Sequence, residues 1–469
     1  MNNESLEATL SQTNALVSPI GNENSTTQIQ KQTGVDLSGL LANKTTEPRE
    51  ERLFPDPGPF PDELLQVPGF IAEYLKLSLE TAPYPNKVLS LGGGLTFLSL
   101  LLGRIYKDRR GLHPNIYWIT LADSGTGKEH ARQVNKFLAM KAGMLYFLGD
   151  NFASGEGLED AMFVTKKRLF MLDEMDTLFN SLKQKDARAE AIMQRLLSFY
   201  SSVGSFFSMR AKAKKSGESS CGFIINPYLV LYGTALPKYF YGALEERVLE
   251  NGLIPRTLIA DAGERSEYGD PKDMFLSPNM AEMLKVLKSK AGEDENLVCE
   301  NPNLRYILET RDAEVQLDED REYCDAQVDF FSDKKQLAAQ VLWTRAHEKV
   351  CKLAMLYAAS ENVYDPMISA TAVIWARALV TYLTKRMLYM ADTYSYVDAF
   401  DLDCKKALKV ISDNGGICRH SVLSRAVRRP ADYLKKLMAT LIGRELISEY
   451  IVHSQEGCGR PGKYYKLLE

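Results

Sequence analysis

The chain has 469 residues and a mass of 52.7 kDa, a length that suggests roughly three domains. Hydrophobic residues make up 45% and charged residues 25%, the balance of a globular protein with enough apolar side chains for a core. No apolar run approaches the roughly 18–20 residues that a membrane span needs. The net charge of −4 gives no overall support for nucleic-acid binding, so any such site must be local.

The use of cysteine and histidine indicates a reducing environment. Seven scattered cysteines without a CxxC pair, together with five histidines, argue against a zinc site and against a disulfide framework. The first residues, MNNESLEATLSQTN, lack the basic start and apolar stretch of a signal peptide. We therefore expect a cytoplasmic protein with free thiols and no membrane segment.

Two regions of different character come first. Residues 1–50 contain no aromatic residue and are rich in Asn, Gln, Ser and Thr, so we expect a disordered tail, with a partner-binding arm as the alternative. Residues 51–112 form a predicted N-terminal helical segment, with helices over 61–82 and 86–107. The second helix contains Gly92–Gly94. Since no lysine or Ser/Thr follows these glycines in register, we interpret them as small residues for close helix packing rather than as a phosphate loop.

Short apolar runs separated by helical segments follow, and they predict an α/β fold over residues 113–265. Five such runs, rich in branched and aromatic residues, suit the buried strands of a parallel sheet with crossover helices. The runs are NIYWITL (115–121), MLYFLG (144–149), RLFMLDE (168–174), YLVLYGT (228–234) and RTLIA (256–260). Residues 266–400 comprise an irregular, acidic segment up to 325 and a helical lid from about 330, and residues 401–469 form a last module.

The first predicted strand leads directly into a glycine-rich loop, ADSGTGKE (122–129). Between a strand and a helix, GxxxxGK[ST] is the phosphate-binding Walker A pattern: backbone N–H groups and the helix N-terminus meet the phosphates, and the lysine adds a point charge. Ala122 replaces the first glycine, and Glu129 replaces the Ser/Thr that meets Mg²⁺. Glu129 could bind the metal directly or through water, or the metal could depend on the acidic strand alone. The residues expected to bind ATP are Asp123, Ser124, Gly125, Thr126, Gly127, Lys128 and Glu129. The alternative is an ordinary glycine-rich turn.

A second, acidic signal follows about 45 residues after the lysine of the loop. The run RLFMLDE ends in Asp173 and Glu174, and a carboxylate at the carboxyl end of a strand faces the phosphate crevice of an open α/β sheet. We expect Asp173 to hold Mg²⁺ and Glu174 to polarise the attacking water. Alone, the pair could be a solvated strand end; together with the loop it predicts a site for ATP and Mg²⁺.

Hydrolysis also needs polar groups for the charge that develops on the transferred phosphoryl group. Thr234 ends the fourth predicted strand, where it could orient the water, and Arg256 starts the fifth run. Arg345 lies on the helical lid, which we expect to fold over the nucleotide. Each arginine could instead be a surface residue, and Glu348 offers Arg345 a salt bridge at i+3. Thr234, Arg256 and Arg345 join Glu174 as candidate catalytic residues.

These motifs resemble those of AAA+ ATPases, in the branch that includes the MCM and viral replicative helicases. They are closer still to a prophage, plasmid and mobile-element family labelled a domain of unknown function. The resemblance covers about residues 60–385 and depends on FPDELLQVPGFIAEYL, YWITLADSGTGKEHARQ, SGEGLEDAM, LFMLDEMD, NPYLVLYGTALP, GLIPRTLIADAGE and RAHEKVCKLAMLYAAS. It implies that Arg256 is a finger reaching the neighbouring subunit's nucleotide, that Arg345 is a second sensor and Thr234 a first sensor. It also implies a hexameric ring.

Residues 204–227, GSFFSMRAKAKKSGESSCGFIINP, predict a basic hairpin before the fourth strand. Arg210, Lys212, Lys214 and Lys215 place four positive charges within six residues. The resemblance implies a hairpin that points into the channel of a ring, where lysines hold the phosphates of a DNA strand. The alternative is a solvated surface loop.

Residues 401–469 predict a winged helix, with three helices followed by a two-stranded ribbon around EGCGRPG. Basic residues lie on or before the third helix and at the ribbon, a docking geometry known for duplex DNA; many winged helices instead bind proteins. The residues expected to contact DNA here are Arg428, Arg429, Lys435, Lys436, Arg460 and Lys463.

The sequence therefore predicts an ATP-driven helicase or translocase on DNA, replicative or replication-initiating in a phage, plasmid or other mobile element. One alternative is a DNA-binding ATPase switch or defence protein, which changes its assembly with the nucleotide but does not unwind DNA. A further alternative is a scaffold without nucleotide chemistry, which the substitution at Glu129 favours.

Overall fold

The computed structural model describes residues 54–468, apart from 211, 214–218, 221, 245–247, 249–250, 292–299, 395–398 and 453–461. The predicted disordered tail, residues 1–50, lies outside the described residues. Within the described ranges, no helix combines the length and the apolar character that crossing a membrane requires.

A parallel sheet of five strands lies at the centre of the molecule, as the apolar runs predict. In chain order the strands are β1 (Tyr117–Leu121), β2 (Leu148–Gly149), β3 (Lys167–Leu172), β4 (Tyr228–Ala235) and β5 (Thr257–Asp261). Across the sheet their order is β5-β1-β4-β3-β2, and every neighbouring pair is parallel. All strands therefore end on one side of the sheet, which we call the carboxyl edge, and residues that follow different strands meet there.

The second strand is much shorter than its apolar run. Residues Leu145–Phe147 form a 3₁₀ helix before the two strand residues of β2, and Leu145 and Tyr146 are 50% and 48% exposed. β2 pairs with β3 alone, and local 3₁₀ hydrogen bonds serve the backbone of the residues before it. The prediction of a full-length strand here is wrong because those residues form the 3₁₀ helix.

Helices surround the sheet, and both β1 and β4 are buried along their whole length. The helices before β5 are Phe70–Thr81, Lys87–Leu102, Lys128–Ala142, Gly155–Val164, Met175–Lys183, Ala187–Ser201, Pro237–Ala243 and Leu253–Arg256, with a 3₁₀ turn at Asp62–Leu65. In the described residues between β5 and the last module, the helices are Pro278–Lys290, Arg311–Asp333, Leu337–Thr344, Ala346–Glu361 and Ala370–Tyr394. Two short parallel pairs join Tyr106–Lys107 to Arg305–Tyr306 and Leu308–Glu309 to Met367–Ile368. One hydrophobic core runs through these elements, from Leu64 to Ala391.

The segment 266–325 contains regular helices, contrary to the irregular structure predicted for it. Ser277 caps the helix Pro278–Lys290, and Thr310 caps the helix Arg311–Asp333, each by accepting a backbone N–H of the first turn. The first turn of the second helix also holds two acidic side chains, which the helix dipole favours at that end. The prediction of an irregular segment is therefore wrong over these two helices.

The helix Lys87–Leu102 is buried, and its triple glycine serves close packing, as predicted. A Cβ built on Gly92 would stand 2.2 Å from Nε1 of Trp118 in β1. Those built on the next two glycines would meet the side chain of Tyr74 at 2.6 and 2.9 Å. The glycines therefore allow this helix to approach both β1 and the helix Phe70–Thr81.

Replacing Gly92 by alanine should destabilise the protein by about 2 kcal/mol, because overpacking against the Trp118 ring outweighs the helix propensity of alanine. Gly242 is a matched control, since it lies in the helix Pro237–Ala243 with nothing within 4 Å of an added Cβ. Gly242→Ala should be neutral or slightly stabilising. Chemical denaturation measures both changes, and an unaltered free energy of unfolding for Gly92→Ala would contradict the packing role.

The predicted hairpin is present as an antiparallel pair, Phe206–Ser208 with Phe223–Ile225, and a second pair, Lys212–Ala213 with Ser219–Ser220, extends it. The last module has a separate core, from Cys404 to Tyr465. It consists of the helices Ala399–Asp413, His420–Val427 and Ala431–Gly443 and of three antiparallel strands in the order Ile417–Arg419, Gly462–Leu467, Ile447–Val452. The tip of the ribbon, 453–461, lies outside the described residues.

Candidate functional site

The loop 122–127 connects β1 to the helix Lys128–Ala142 at the carboxyl edge. Gly125 and Gly127 have φ values of 82° and 85°, in the left-handed region that glycine adopts without a steric penalty. A Cβ on Gly127 would also stand 2.7 Å from the carbonyl oxygen of Tyr84. Residues 123–125 are exposed, and the helix begins just after them. The loop therefore offers a positively polarised backbone surface that suits an anion.

Two acidic residues follow β3 at the same edge of the sheet. One carboxylate oxygen of Asp173 accepts hydrogen bonds from the hydroxyl of Thr234 (2.7 Å) and from the backbone N–H of Glu174 (3.0 Å). Thr234 is fully buried near the end of β4, the strand that lies between β1 and β3. The sheet thus brings Thr234 and Asp173, two predicted site residues, into direct contact.

Glu174 has a backbone conformation that residues other than glycine seldom adopt. Its φ and ψ are 53° and 42°, a left-handed geometry that costs roughly 1 kcal/mol. It precedes the helix Met175–Lys183, and its carbonyl oxygen accepts the hydroxyl of Thr177 (2.8 Å). The residue is exposed beside Asp173. Backbone strain that is held in this way is common at functional positions.

Arg132 is a site residue that the sequence analysis missed. It lies one turn after Glu129 on the helix Lys128–Ala142, and one of its guanidinium nitrogens donates to Glu129 (2.9 Å) and to Asp173 (2.8 Å). Only 7% of the Arg132 side chain is exposed, against 65% for Glu129 and 45% for Asp173. Opposite charges at i and i+3 just after the loop were the available signal. The contact with Asp173, which is 41 positions away, depends on the folded sheet.

The two carboxylates predicted as metal ligands are therefore both partners of Arg132. Burial by itself raises the pKa of Asp173, but the hydrogen bonds from Arg132 and Thr234 outweigh it and hold the pKa below its usual value. Carboxylate oxygens suit Mg²⁺, yet one oxygen of each carboxylate is bound to the same guanidinium. In this arrangement one oxygen of Glu129 and one oxygen of Asp173 are already hydrogen-bonded to Arg132, so the pair does not form a preorganised site for a divalent cation. Elsewhere in the described part of the chain, no group of three or more His, Cys, Asp or Glu side chains offers one either.

Arg265 is a second cation beside the loop that the sequence analysis did not single out. Its guanidinium carbon lies 3.9 Å from the ring centroid of Tyr84, a cation–π contact, and one of its nitrogens lies 3.4 Å from a Cβ built on Gly125. Arg265 comes after β5, so no feature of the loop motif marks it. Its position adds positive charge next to the glycines.

Arg256 lies at the edge of the sheet where the strands begin, whereas the loop lies at the carboxyl edge, where they end. It directly precedes β5, whose first residue, Thr257, is paired with Tyr117 at the start of β1, whereas the loop follows the end of β1. A strand of five residues spans roughly 16 Å, so Arg256 is far from the loop of its own chain. Its guanidinium donates to the carbonyl oxygen of Gly252 (2.9 Å). Burial lowers the pKa of Arg256, and the nearby positive charge of Arg345 lowers it further.

Arg345 stands near Arg256 rather than over the loop. It forms an ion pair with Glu348 (2.9 Å), the alternative that the i+3 spacing suggests, and Glu348 also pairs with Lys352 (3.2 Å). Lys352 donates to Asn115 (2.9 Å), two residues before β1. The helical lid therefore presents Arg345 at the amino-terminal side of the sheet, and the expectation that this arginine covers the loop of its own chain is not met.

The basic hairpin residues are described in part. Arg210 has an exposed side chain that pairs with Glu156. Lys212 lies in a hairpin strand, and nothing further is described of its side chain. Lys214 and Lys215 lie outside the described residues. The hairpin prediction is therefore confirmed for the backbone, and the DNA contacts of its lysines remain a prediction.

The basic residues of the last module that are predicted to contact DNA differ in their partners, because two of them form ion pairs within the module. Arg429 pairs with Asp403 (2.7 Å), and Lys463 pairs with Glu449 (2.8 Å), so part of their charge is already neutralised. The other predicted contacts are Arg428, Lys435 and Lys436, which are exposed, and Arg460, which lies outside the described residues.

Comparisons with known proteins do not assign a family to this chain. No family model matches the sequence, and no curated protein matches it. Among solved structures, the chain is similar to "The A form apo structure of NrS-1 C terminal region-CTR(305-718)", with 13% sequence identity and a TM-score of 0.22 over 66% of this chain and 71% of that chain. A likeness of this size carries no conclusion about function, which has to come from the residues of the site.

Proposed function

We propose that this chain binds and hydrolyses ATP and uses the cycle to move along DNA or to unwind it. The observation that carries the proposal is that a glycine loop opening a helix and the pair Asp173–Glu174 lie at one edge of a parallel sheet, with Thr234 between them bonded to Asp173 (2.7 Å). A solvated strand end would not need a buried threonine and a buried arginine, Arg132, directed at its carboxylate. The arrangement therefore favours a phosphate site over an ordinary turn.

The loop would meet the charge of the triphosphate. Backbone N–H groups around Gly125 and Gly127 and the N-terminus of the helix Lys128–Ala142 would contact phosphate oxygens. The Lys128 ammonium would add a point charge, and Arg265, beside Gly125, would add a second one.

The two acidic residues would have different roles: Glu174 would act on the attacking water, and Asp173 would hold the backbone turn in place. Glu174 is exposed at the carboxyl edge and would polarise the attacking water. Since the hydroxyl of Thr234 donates to Asp173, we assign Thr234 the role of holding that carboxylate rather than the water. Asp173 in turn anchors the backbone turn at Glu174 through its hydrogen bond to the N–H (3.0 Å).

A second subunit would complete the site. Arg256 and Arg345 lie on the side of the sheet away from their own loop, so a triphosphate that they contact would be bound to another copy of the chain. Head-to-tail contacts of this kind repeat from copy to copy, and they close into a ring when the rotation between copies closes. We therefore propose a ring-forming homo-oligomer, and the family resemblance suggests six subunits.

DNA would contact the hairpin and the last module. On the hairpin, Phe206 and Phe223 are 57% and 56% exposed, and their ring centroids are 5.7 Å apart. Exposed aromatic rings together with positive charge are the combination that binds single strands without sequence preference. The exposed Arg428 and Lys435 of the last module would contact duplex phosphates.

A strand-displacement assay tests the proposal. The purified chain should release the labelled strand of a forked duplex with ATP and not without it, and single-stranded DNA should increase its ATP hydrolysis. Lys128→Ala should remove both activities, because the phosphates lose their charge partner. Lys136→Ala is the matched control, since Lys136 is on the same helix and its exposed side chain pairs with Asp150 (2.9 Å). ATP binding without displacement would favour the switch, and no ATP binding would favour the scaffold.

A further inference from the structure

The cluster Glu129–Arg132–Asp173 has a charge arrangement that the proposed cycle does not explain. The phosphate-loop pattern places a neutral Ser or Thr at position 129, and here Glu129 adds a negative charge. Arg132 cancels that charge through two hydrogen bonds of 2.8 and 2.9 Å to the two carboxylates. Charge-assisted hydrogen bonds of this length are strong. The three side chains together carry a net charge of −1, and the guanidinium occupies one oxygen of each carboxylate that a metal ion could otherwise use.

We infer that Arg132 is a resident cation of this site, and that the loop therefore binds a nucleoside triphosphate without requiring a divalent metal ion. The inference rests on the proposed ATP binding and deepens it. Arg132 acts as a positioning residue: it holds Glu129 and Asp173 and neutralises one of their two charges. A metal ion normally lowers the repulsion between a site carboxylate and the phosphates, and here a side chain of the protein already does part of that.

Burial makes the arginine the fixed member of the cluster. Its side chain is 7% exposed, whereas those of Glu129 and Asp173 are 65% and 45% exposed. A buried guanidinium that lost both carboxylates would be left without compensation for its desolvation. A metal ion arriving from solvent could meet the outer oxygens of the carboxylates, but it would not displace Arg132.

The consequence of removing Arg132 follows from the same charges. Two carboxylates without the guanidinium would repel each other and would also repel the incoming triphosphate. Divalent metal ions would then be needed to restore binding. Metal independence in the native chain and metal dependence in the variant are therefore two results of one cause.

Titration of the full chain with a fluorescent ribose-labelled ATP analogue, in excess Mg²⁺ and in excess EDTA, measures this directly. The wild-type affinities in the two solutions should agree within about threefold, whereas Arg132→Gln should lose at least about tenfold in EDTA and regain it with Mg²⁺. Arg321→Gln is the matched control, because it breaks an i,i+3 pair with Asp318 (3.3 Å) of the same type and should not change the ratio. The double variant Glu129→Ser/Arg132→Gln keeps the net charge, but it frees the Asp173 oxygen that Arg132 occupies and places at position 129 the hydroxyl of the usual loop pattern, so a metal ion gains ligands. It should fold like the wild type, as judged by its melting curve, and should bind the analogue more tightly with Mg²⁺ than with EDTA.

The outcomes separate this inference from the proposed function. Wild-type binding that is normal in Mg²⁺ and lost in EDTA would overturn the inference and leave ATP binding in place. Absence of binding in both solutions would overturn both. A folded double variant that binds equally well in the two solutions would show that Arg132 is not the source of metal independence.

Discussion

Replacing Arg256 by alanine is expected to lower the rate of ATP hydrolysis by about a thousandfold, while the affinity for ATP changes by less than about threefold. Arg256 lies at the amino-terminal side of β5, away from the loop of its own chain, so it has no part in binding ATP there. Its charge would act on a triphosphate held by a neighbour. Arg188→Ala, at an exposed arginine of the helix Ala187–Ser201, is the matched control and should hydrolyse ATP at the wild-type rate.

Mixing two inactive variants distinguishes action on a neighbour from a loss of folding. Arg256→Ala keeps an intact loop, and Lys128→Ala keeps an intact Arg256. Mixed assemblies should therefore recover part of the activity that neither variant has alone. If mixing restores nothing although both variants assemble, Arg256 does not act between subunits. Arg256→Lys, which keeps the charge but not the planar fork, should stay far below the wild type.

Replacing Glu174 by glutamine is expected to lower hydrolysis by roughly 10²–10⁴-fold, the contribution typical of a general base. The amide has nearly the same shape and keeps the left-handed backbone at this position, but it cannot polarise water as a carboxylate does. Nucleotide affinity should be unchanged or higher, because a negative charge beside the phosphates is removed. Single-turnover hydrolysis and analogue binding, measured on the same preparation, separate the two effects.

A suitable control for Glu174→Gln is Glu282→Gln, at an exposed residue of the helix Pro278–Lys290, which should leave hydrolysis unaltered. Wild-type turnover by Glu174→Gln would remove Glu174 from the reaction. It would also leave the strained backbone at that position without a catalytic explanation.

Most of the sheet could be predicted from the sequence. β1, β3, β4 and β5 each begin and end within two residues of an apolar run, because a strand buried on both faces needs apolar side chains throughout. The apolar run 144–149 does not show that its first residues form a 3₁₀ helix, which is why the short β2 was predicted as a full strand. The helix Pro278–Lys290 was missed although Ser277 at its start and its spaced apolar residues are sequence signals of a helix.

Within the candidate site, the residues at positions that the phosphate-loop and acidic-strand patterns specify were found, and two arginines outside those positions were not. Lys128, Asp173 and Glu174 are each marked by a local pattern at the end of a strand. Arg132 bridges two of the predicted residues, and Arg265 lies beside the loop although it follows the last strand. Neither arginine occupies a position that these two patterns specify.

The amino-acid sequence alone indicates whether a segment forms a strand or a helix, because the spacing of its apolar residues matches the period of the element that buries them on one face. It is enough for the loop after β1 and for the acidic end of β3. Which distant residues meet was settled by the packing of the whole chain: β4 lies between the two motif strands and brings Thr234 to Asp173, and Arg132 reaches across 41 positions. Long-range strand order and packing depend on the common core, and no short stretch of sequence records them.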